Sequence, residues 1–327
     1  MAEPALKSAQ WQTRWATPED TEALLRLFER SFGSTMRLDE WCWKYRFAES
    51  PGVVCVDGDE LVAFNGGMPR TVFVDGQRHA AVQMGDVMVD PAYRGILTRK
   101  GPFYRVVQTF FGDKVGEKQG QPLDYRYAFG FPHARHARLG RALSLYCETD
   151  VIQAAAWSPA PRRHLLTTAR PLTPADAPTV DALWQAMRKS LADVAMGERD
   201  SRWLEHRYRQ VPGREYMMWL VYKRLTRRPL GVCVLCQHGD RVELLDLVAP
   251  PRSLGRVVEC ARHLTARLGC QTLTAWLSPR VAQALEATHP TLEATEVVVP
   301  GSQVNGETLG REVANRWWLM GGDTDFR

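Results

Sequence analysis

No stretch of this chain approaches the roughly 18 consecutive apolar residues that a bilayer-spanning helix needs. Met1 to Gln12 is short and polar and has no signal-peptide core. These absences argue for a cytoplasmic protein with no membrane partner. Concentrated basic runs are also missing. The formal net charge is only +5 and the pI is near 8.9. The densest basic stretch, Arg224-Leu225-Thr226-Arg227-Arg228, reads as a solvated hairpin turn. No nucleic-acid partner is expected, and the mild basicity fits an anionic small molecule. A metal site is not expected either: His133 and His136 stand at i and i+3 with no third ligand nearby. Paired cysteines are lacking too. The seven cysteines are an odd number scattered through apolar segments, as free thiols in a reducing compartment would be. Cys233 and Cys236 have the spacing of a redox or metal motif, but Pro229 to Gln237 reads as a strand. Residues i and i+3 of a strand face opposite sides, so both are read as core cysteines.

What is present is an ordinary globular composition, 45% hydrophobic and 24% charged, over 327 residues. That length suits two domains, each able to bury a core. Thr17-Pro18-Glu19-Asp20 opens a helix with an N-cap, a proline at the first position and an acidic N3 partner. Its apolar positions Leu24, Leu25, Leu27, Phe28 and Phe32 recur at helical spacing, and Gly33 ends it. A second helix follows over Leu38 to Phe47. Residues 53–56 and 61–67 read as strands around Asp57-Gly58-Asp59, and 70–74 and 79–83 as another pair around Asp75-Gly76. Gln83 to Val89 continues as a strand. A helix then runs to about Val115, followed by a polar loop over Gly116 to Pro122. Tyr125 to Phe131 reads as a strand, His133 to Arg138 as a helix ending at Gly140, and Ala142 to Val151 as a further strand. This order makes a mixed α/β fold.

After an Ala-, Pro- and Arg-rich stretch, Ala154 to Arg163, the pattern begins again. Thr173-Pro174-Ala175-Asp176 echoes Thr17-Pro18-Glu19-Asp20. His206-Arg207-Tyr208-Arg209 echoes Trp43-Lys44-Tyr45-Arg46, and Leu245 to Pro250 echoes Asp86 to Pro91. The boundaries expected are 1–155 for an N-terminal domain and 164–327 for a C-terminal one.

The repeats differ at one place. Gly85 to Val89 delivers a Pro-marked turn and then Tyr93-Arg94-Gly95-Ile96-Leu97-Thr98-Arg99-Lys100-Gly101 to a helix N-terminus. Free backbone N–H groups, basic side chains and the positive helix end make an anion site, with phosphate the obvious guest. The second copy has only Pro250-Pro251-Arg252-Ser253-Leu254-Gly255 there.

Met88-Val89-Asp90-Pro91-Ala92-Tyr93-Arg94-Gly95 resembles motif A of the GNAT superfamily, the acyl-CoA-dependent N-acyltransferases. Phe129-Gly130-Phe131-Pro132-His133 and Arg138-Leu139-Gly140 resemble that family's next strand and helix. The resemblance covers nearly all of residues 13–152 and, more weakly, 168–320 as a second copy. It implies two GNAT-like domains, each a mostly antiparallel sheet flanked by helices, the second with a degenerate loop. It also implies acetyl-CoA or another acyl-CoA as co-substrate. By resemblance Met88 and Val89 bind the pantetheine arm, and Arg94, Gly95, Thr98, Arg99 and Lys100 lie near the phosphates. The loop departs from the family pattern at Leu97, where a second small residue is usual.

Acyl transfer to an amine needs a neutral nucleophile, a donor for the oxyanion and a proton for the leaving thiolate. Relatives often place a tyrosine acid where this chain has His136. His136 is therefore the candidate acid, with a half-exposed helical histidine as the alternative. Asp86 is the candidate base, with a paired structural carboxylate as the alternative. Tyr127 and Tyr146 are further candidates. Trp41, Trp43, Tyr45, Phe129 and Phe131 either line an acceptor pocket or belong to the core. The leading expectation is transfer of an acyl group, acetyl by preference, to a small-molecule or peptide amine. The alternatives are a non-catalytic acyl-CoA-binding or interaction module and an aminoacyl-tRNA-dependent transferase.

Overall fold

The computed structural model describes residues 11–161, 165–305 and 307–327. The chain packs as two units. The first comprises residues 1–69, 80–148 and 300–310, and the second 70–79, 149–299 and 311–327. A sequence-based division at one point, between 155 and 164, has no place for these exchanged segments.

The first unit opens with strand β1 (Gln12–Trp15) and helix α1 (Thr21–Phe32). The turn between them is fixed by chemistry. Asp20 accepts from the Thr17 N–H at 2.9 Å and takes both Nη atoms of Arg14 at 2.6 and 2.8 Å. Leu24 and Leu27 carry the buried face of α1, and Gly33 ends the helix at φ +72°. Helix α2 (Leu38–Lys44) follows, then strands β2 (Gly52–Asp57), β3 (Glu60–Val74) and β4 (Gln77–Val89). Helix α3 (Pro102–Lys114), strand β5 (Tyr127–Gly130), helix α4 (Ala134–Ala142) and strand β6 (Tyr146–Trp157) complete the series. These strands run in the order β1-β2-β3-β4-β5 within a seven-stranded sheet, with β4 and β5 parallel.

Both β3 and β4 are longer than the sequence pattern indicates. Gly66 and Gly67 do not break β3. They admit neighbours, because a Cβ at Gly66 would lie 2.2 Å from Tyr45 Oη, and one at Gly67 2.3 Å from the Phe110 ring. The polar loop of residues 116–122 contains a small two-stranded hairpin, Glu117–Lys118 with Gln121–Pro122. One face of the sheet packs on α3 through Val53, Val82, Phe103, Val106 and Phe110. The other packs on α1 and α2 through Leu24, Leu27, Trp41, Phe64 and Met88.

In the second unit, β7 (Thr167–Pro171), α5 (Ala177–Ser190), β8 (Ala195–Gly197) and the short α6 (Ser201–Leu204) come first. Strands β9 (Met217–Lys223), β10 (Pro229–His238) and β11 (Arg241–Val248) lead to helix α7 (Pro251–Arg267) and strand β12 (Thr272–Leu277). Helix α8 (Pro279–Ala284), strand β13 (Thr291–Ser302), helix α9 (Glu307–Glu312) and strand β14 (Trp317–Trp318) end the chain. The strand order is β13-β6-β12-β11-β10-β9-β7. Within this sheet the β11–β12 pair is parallel, and the β6–β12, β10–β11, β9–β10 and β7–β9 pairs are antiparallel. The Thr17 turn is repeated: Asp176 accepts from the Thr173 N–H at 2.9 Å and takes Arg170 at 2.5 and 2.7 Å. Each unit is thus a mixed, mostly antiparallel sheet flanked by helices. Among the described residues no helix is long and apolar enough to cross a membrane.

Candidate active site

The ladder between β4 and β5 runs from Ala81–Tyr127 to Met84–Gly130 and then ends. Strand β4 continues to Val89, while the chain after Gly130 turns at Pro132 into α4. Two parallel strands that part in mid-sheet leave backbone groups unpaired between them. The parting coincides with Asp86, a non-glycine residue at φ +48° inside a strand. A left-handed residue within a strand turns the backbone locally away from the regular extended form.

Asp86 does not stand free as a base. Its Oδ1 accepts from Lys44 Nζ at 2.6 Å and its Oδ2 from Tyr45 Oη at 2.7 Å. The Lys44 and Asp86 side chains are only 4% and 7% exposed. The sequence reading singled out Asp86 but missed Lys44. Helical spacing places Lys44 beside Trp41 and Tyr45, and no sequence pattern announces a buried lysine.

Beyond Asp86, the Met88 side chain is buried in the α1–α2 face, so only its backbone can meet a ligand. Val89 packs on the α3 side, and its carbonyl accepts from Arg94 Nε at 2.9 Å. Arg94 also donates through Nη2 to the Ser31 carbonyl at 2.6 Å. Its guanidinium thus ties the turn to β4 and α1. Asp90 anchors the same turn. It accepts from Ala92 N at 3.0 Å and Arg30 Nε at 2.6 Å. Burial alone would push this carboxyl up, but the Ala92 N–H and Arg30 outweigh it and hold it below its ordinary value.

Gly95, Thr98, Arg99 and Lys100 lie on the exposed loop before α3. Gly95 has open space around it. The glycine the loop requires is Gly101, where a Cβ would lie 2.1 Å from the Ile96 carbonyl. Gly101 is the N-cap of α3, with Pro102 following, and no side chain caps the first N–H groups of that helix. Arg99 and Lys100 have no carboxylate partner among the described residues.

Helix α4 adds positive charge. His133 is its N-cap, and its imidazole is held below its ordinary value by burial and then by Arg135, Arg138 and Arg94. Arg135 and Arg138 were not singled out by the sequence reading. Their i, i+3 spacing in the Ala134 to Gly140 helix was the available signal.

His136 lies one turn into α4. Its Nε2 is 2.9 Å from Tyr146 Oη, and Phe103 packs edge-on at 5.1 Å. Burial, helped by His133, pushes its pKa down to about 3. That direction favours the neutral ring near pH 7 and disfavours an imidazolium acid. The Tyr146 hydroxyl is buried, with burial pushing its own pKa up. Its proton needs an acceptor, and His136 Nε2 is the partner present. That assigns the imidazole proton to Nδ1. Tyr127 is buried and receives Arg126 Nε at 3.0 Å. Trp41, Tyr45 and Phe129 are core residues.

The second unit has the corresponding parting of strands. The parallel β11–β12 register ends at Glu243–Thr274. Here the opening is filled by the chain itself. Met320 bridges Leu277, and the Leu319 carbonyl accepts from Ser278 N at 2.9 Å. Gly321 and Gly322 lie against Glu243, Leu245 and Tyr208. Asp323 is buried in an ion pair with Arg199.

Residues 12–136 match the family model of the acetyltransferase (GNAT) domain. Among solved structures, the chain is similar to a probable N-acyltransferase from Enterococcus faecalis. That match has a TM-score of 0.68 at 12% identity over 89% of this chain and 72% of that one. A GCN5-related N-acetyltransferase from Anabaena variabilis gives a TM-score of 0.67 at 16% identity, over 90% and 73%. N-myristoyltransferase of Saccharomyces cerevisiae, with bound myristoyl-CoA, gives 0.57 at 10% identity, over 91% and 80%. No curated protein matches the sequence significantly. The parted strands, Asp86 and the N-terminus of α3 lie within the segment that matches, and over the whole chain the likeness to these acyltransferases is one of fold.

Proposed function

We propose that the protein is an acyl-CoA-dependent N-acyltransferase, with its reaction centre where β4 and β5 part. The observation that carries this reading is the coincidence of three features: the end of the β4–β5 ladder at Met84–Gly130, the left-handed Asp86 within β4, and the α3 N-terminus that no side chain caps. The phosphates of CoA would lie at the α3 N-terminus, within reach of Arg99, Lys100, Arg135 and Arg138. Pantetheine would run along the unpaired edge of β4. The thioester carbonyl would accept backbone N–H hydrogen bonds near Asp86.

The neutral amine attacks the carbonyl carbon and the C–S bond breaks. The proton lost by nitrogen balances the one gained by sulfur. His136 contributes as a neutral donor through Nδ1–H, aimed by Tyr146, rather than as a charged acid. The acceptor is a small-molecule or peptide amine and the acyl group is acetyl by preference. The test is thiol release from acetyl-CoA and longer acyl-CoAs over a panel of amines. Turnover with any pair supports the reading, and none across the panel overturns it.

One observation favours a second reading. Both titratable candidates are occupied, Asp86 by Lys44 and Tyr45, and His136 by Tyr146. A non-catalytic acyl-CoA-binding module would show thermal stabilisation by CoA without thiol release.

A further inference from the structure

Three leucines stand out from one face of the second unit. Leu165 is 84% exposed, Leu166 57% and Leu225 87%. Leu165 and Leu166 lead into the edge strand β7, and Leu225 lies in the turn between β9 and β10. Backbone pairing brings the two places together. The Arg224 N–H donates to the Leu166 carbonyl at 2.9 Å, and Lys223 is the ladder partner of Thr167. Single exposed leucines are ordinary, but a contiguous exposed group marks an interaction site. The turn is closed by its own contacts: the Arg227 N–H donates to the Lys223 carbonyl at 2.9 Å, and Arg227 Nη1 donates to Tyr222 Oη at 3.3 Å. The same turn exposes Arg224, Arg227 and Arg228, with Lys223 half-buried beside them. Among the described residues no carboxylate pairs with any of these four cations. Leu165 and Leu166 also line a cavity of about 500 Å³ against α7, with Ala169, Cys260 and Leu264 in its apolar wall. Glu259 on that wall is paired with Arg262 at 2.6 Å, so it does not offset the basic turn.

We propose that this face docks on an anionic phospholipid surface, with Leu165, Leu166 and Leu225 entering the headgroup–acyl boundary and Arg224, Arg227 and Arg228 meeting the anionic headgroups. The two chemistries choose the partner together. A polyanion such as RNA would engage the arginines and leave the leucines in water. An apolar protein groove would cover the leucines and leave the cations unanswered. A lipid interface takes both, apolar side chains at the acyl boundary and basic ones at the charged headgroups. Docking of this kind needs no spanning helix, so the lack of long apolar runs in the sequence has no bearing on it. The inference goes beyond the acyltransferase reading and stands without it.

Flotation of the whole chain with vesicles tests this. Vesicles of phosphatidylcholine with about one third phosphatidylglycerol should carry the protein, vesicles of phosphatidylcholine alone should not, and rising salt should weaken the binding. Arg224→Ser, Arg227→Ser and Arg228→Ser together should lower the partition coefficient about 100-fold. Leu165→Ser with Leu225→Ser keeps every charge and should lower it about tenfold. All five positions are exposed, so the variants should melt as the wild type does. If either combination melts early, Leu225→Ser and Arg228→Ser alone are read instead, each expected to lower the coefficient about threefold. A wild type that ignores anionic vesicles at low salt overturns the proposal. So does a leucine variant that binds them as the wild type does, since charge attraction alone would then account for the binding. Binding to single-stranded RNA that the leucine variant keeps, without vesicle binding, would make the turn a polyanion site and overturn it as well.

Discussion

The hydroxyl of Tyr208 lies 2.9 Å from the Asp246 carboxylate, repeating in the second unit the pairing of Tyr45 with Asp86. The details around it repeat as well. Gly322 leaves room for the Tyr208 hydroxyl as Gly66 does for Tyr45, and each glycine lies near the carbonyl just before the aspartate, Leu245 or Gly85. The cation and the backbone differ: Lys44 serves Asp86, which is left-handed, and Arg199 Nε serves Asp246, which is not, at 2.8 Å. A pairing present in a unit whose opening is filled belongs to the architecture of the fold. Tyr208→Phe removes a donor from a carboxylate that is 1% exposed. We expect a loss of about 1–3 kcal/mol of stability, read from the urea midpoint at constant m-value.

The two aspartate turns give a pH prediction. Arg14 holds the Asp20 carboxyl below its ordinary value of 3.8, and Arg170 does the same for Asp176, each helped by the threonine N–H it caps. A carboxylate whose folded pKa lies below its unfolded one contributes stability that is fully present above the unfolded value. That contribution is lost as pH falls from 3.8 toward the folded value. Asp176→Asn should cost about 1 kcal/mol near neutral pH. The Arg170 side chain is 43% exposed, so solvent screens the ion pair, and Asn keeps an oxygen for the Thr173 N–H, which holds the loss to about this size. The difference between wild type and variant should shrink steadily below pH 3.8, as followed by thermal melts across that range.

His136 gives the opposite kind of titration. Its pKa is lowered from 6.5 to about 3, so between those values the unfolded chain holds a proton that the folded one does not. Stability on its account therefore falls as pH drops below 6.5, and is fully present above it. In catalysis the same shift removes any imidazole limb near neutrality. The pH–rate profile of the wild type should lack a step near 6.5 assignable to His136, and NMR should find its ring neutral at pH 5. A ring that titrates near 6.5 would restore the imidazolium acid.

What the sequence showed and what it withheld follow from the range of the interactions. Local chemistry was legible. The Thr17 and Thr173 turns, the Gly33 stop and the strand–loop–helix around Asp90 to Gly101 rest on contacts within a few residues. The tandem repeat was legible for the same reason, since those local signals recur. Long-range partners were not. Lys44 meets Asp86 and His136 meets Tyr146 only once strands have paired, and a buried lysine has no sequence signature. Pattern placed Gly66 and Gly67 in a strand but did not show the close packing they serve. It chose Gly95 as a key loop glycine where packing demands Gly101. Arg94 was read as a ligand because its charge is visible in sequence, whereas its carbonyl partners at Ser31 and Val89 are not.

The filled opening of the second unit sets a stoichiometry. Gly322 sits where a Cβ would be 1.9 Å from Tyr208 Oη and 2.9 Å from the Leu245 carbonyl, so the segment fits only as bare backbone. Arg207 Nε donates to the Gly322 carbonyl at 3.0 Å, and Asp323 is held by Arg199 and approached by Arg70 at 3.5 Å. Displacing this segment would strand Arg199, which is wholly buried, with only Asp246 as its carboxylate partner, and breaking such a buried network costs several kcal/mol. The affinity of one acyl-CoA would have to meet that cost before any net binding appeared. The second unit also offers no loop like Arg94 to Gly101, since α7 begins at Pro251, two residues after Ala249. Calorimetric titration with CoA should therefore find a single site per chain. Replacing Arg99 and Lys100 together by Ala should weaken that site, and more so at low salt than at high, because exposed cations act through a screened field. A second site of comparable affinity would mean that the Met320 to Thr324 segment leaves its cleft, and a titration of Gly322→Val would then show whether backbone fit is what holds it there.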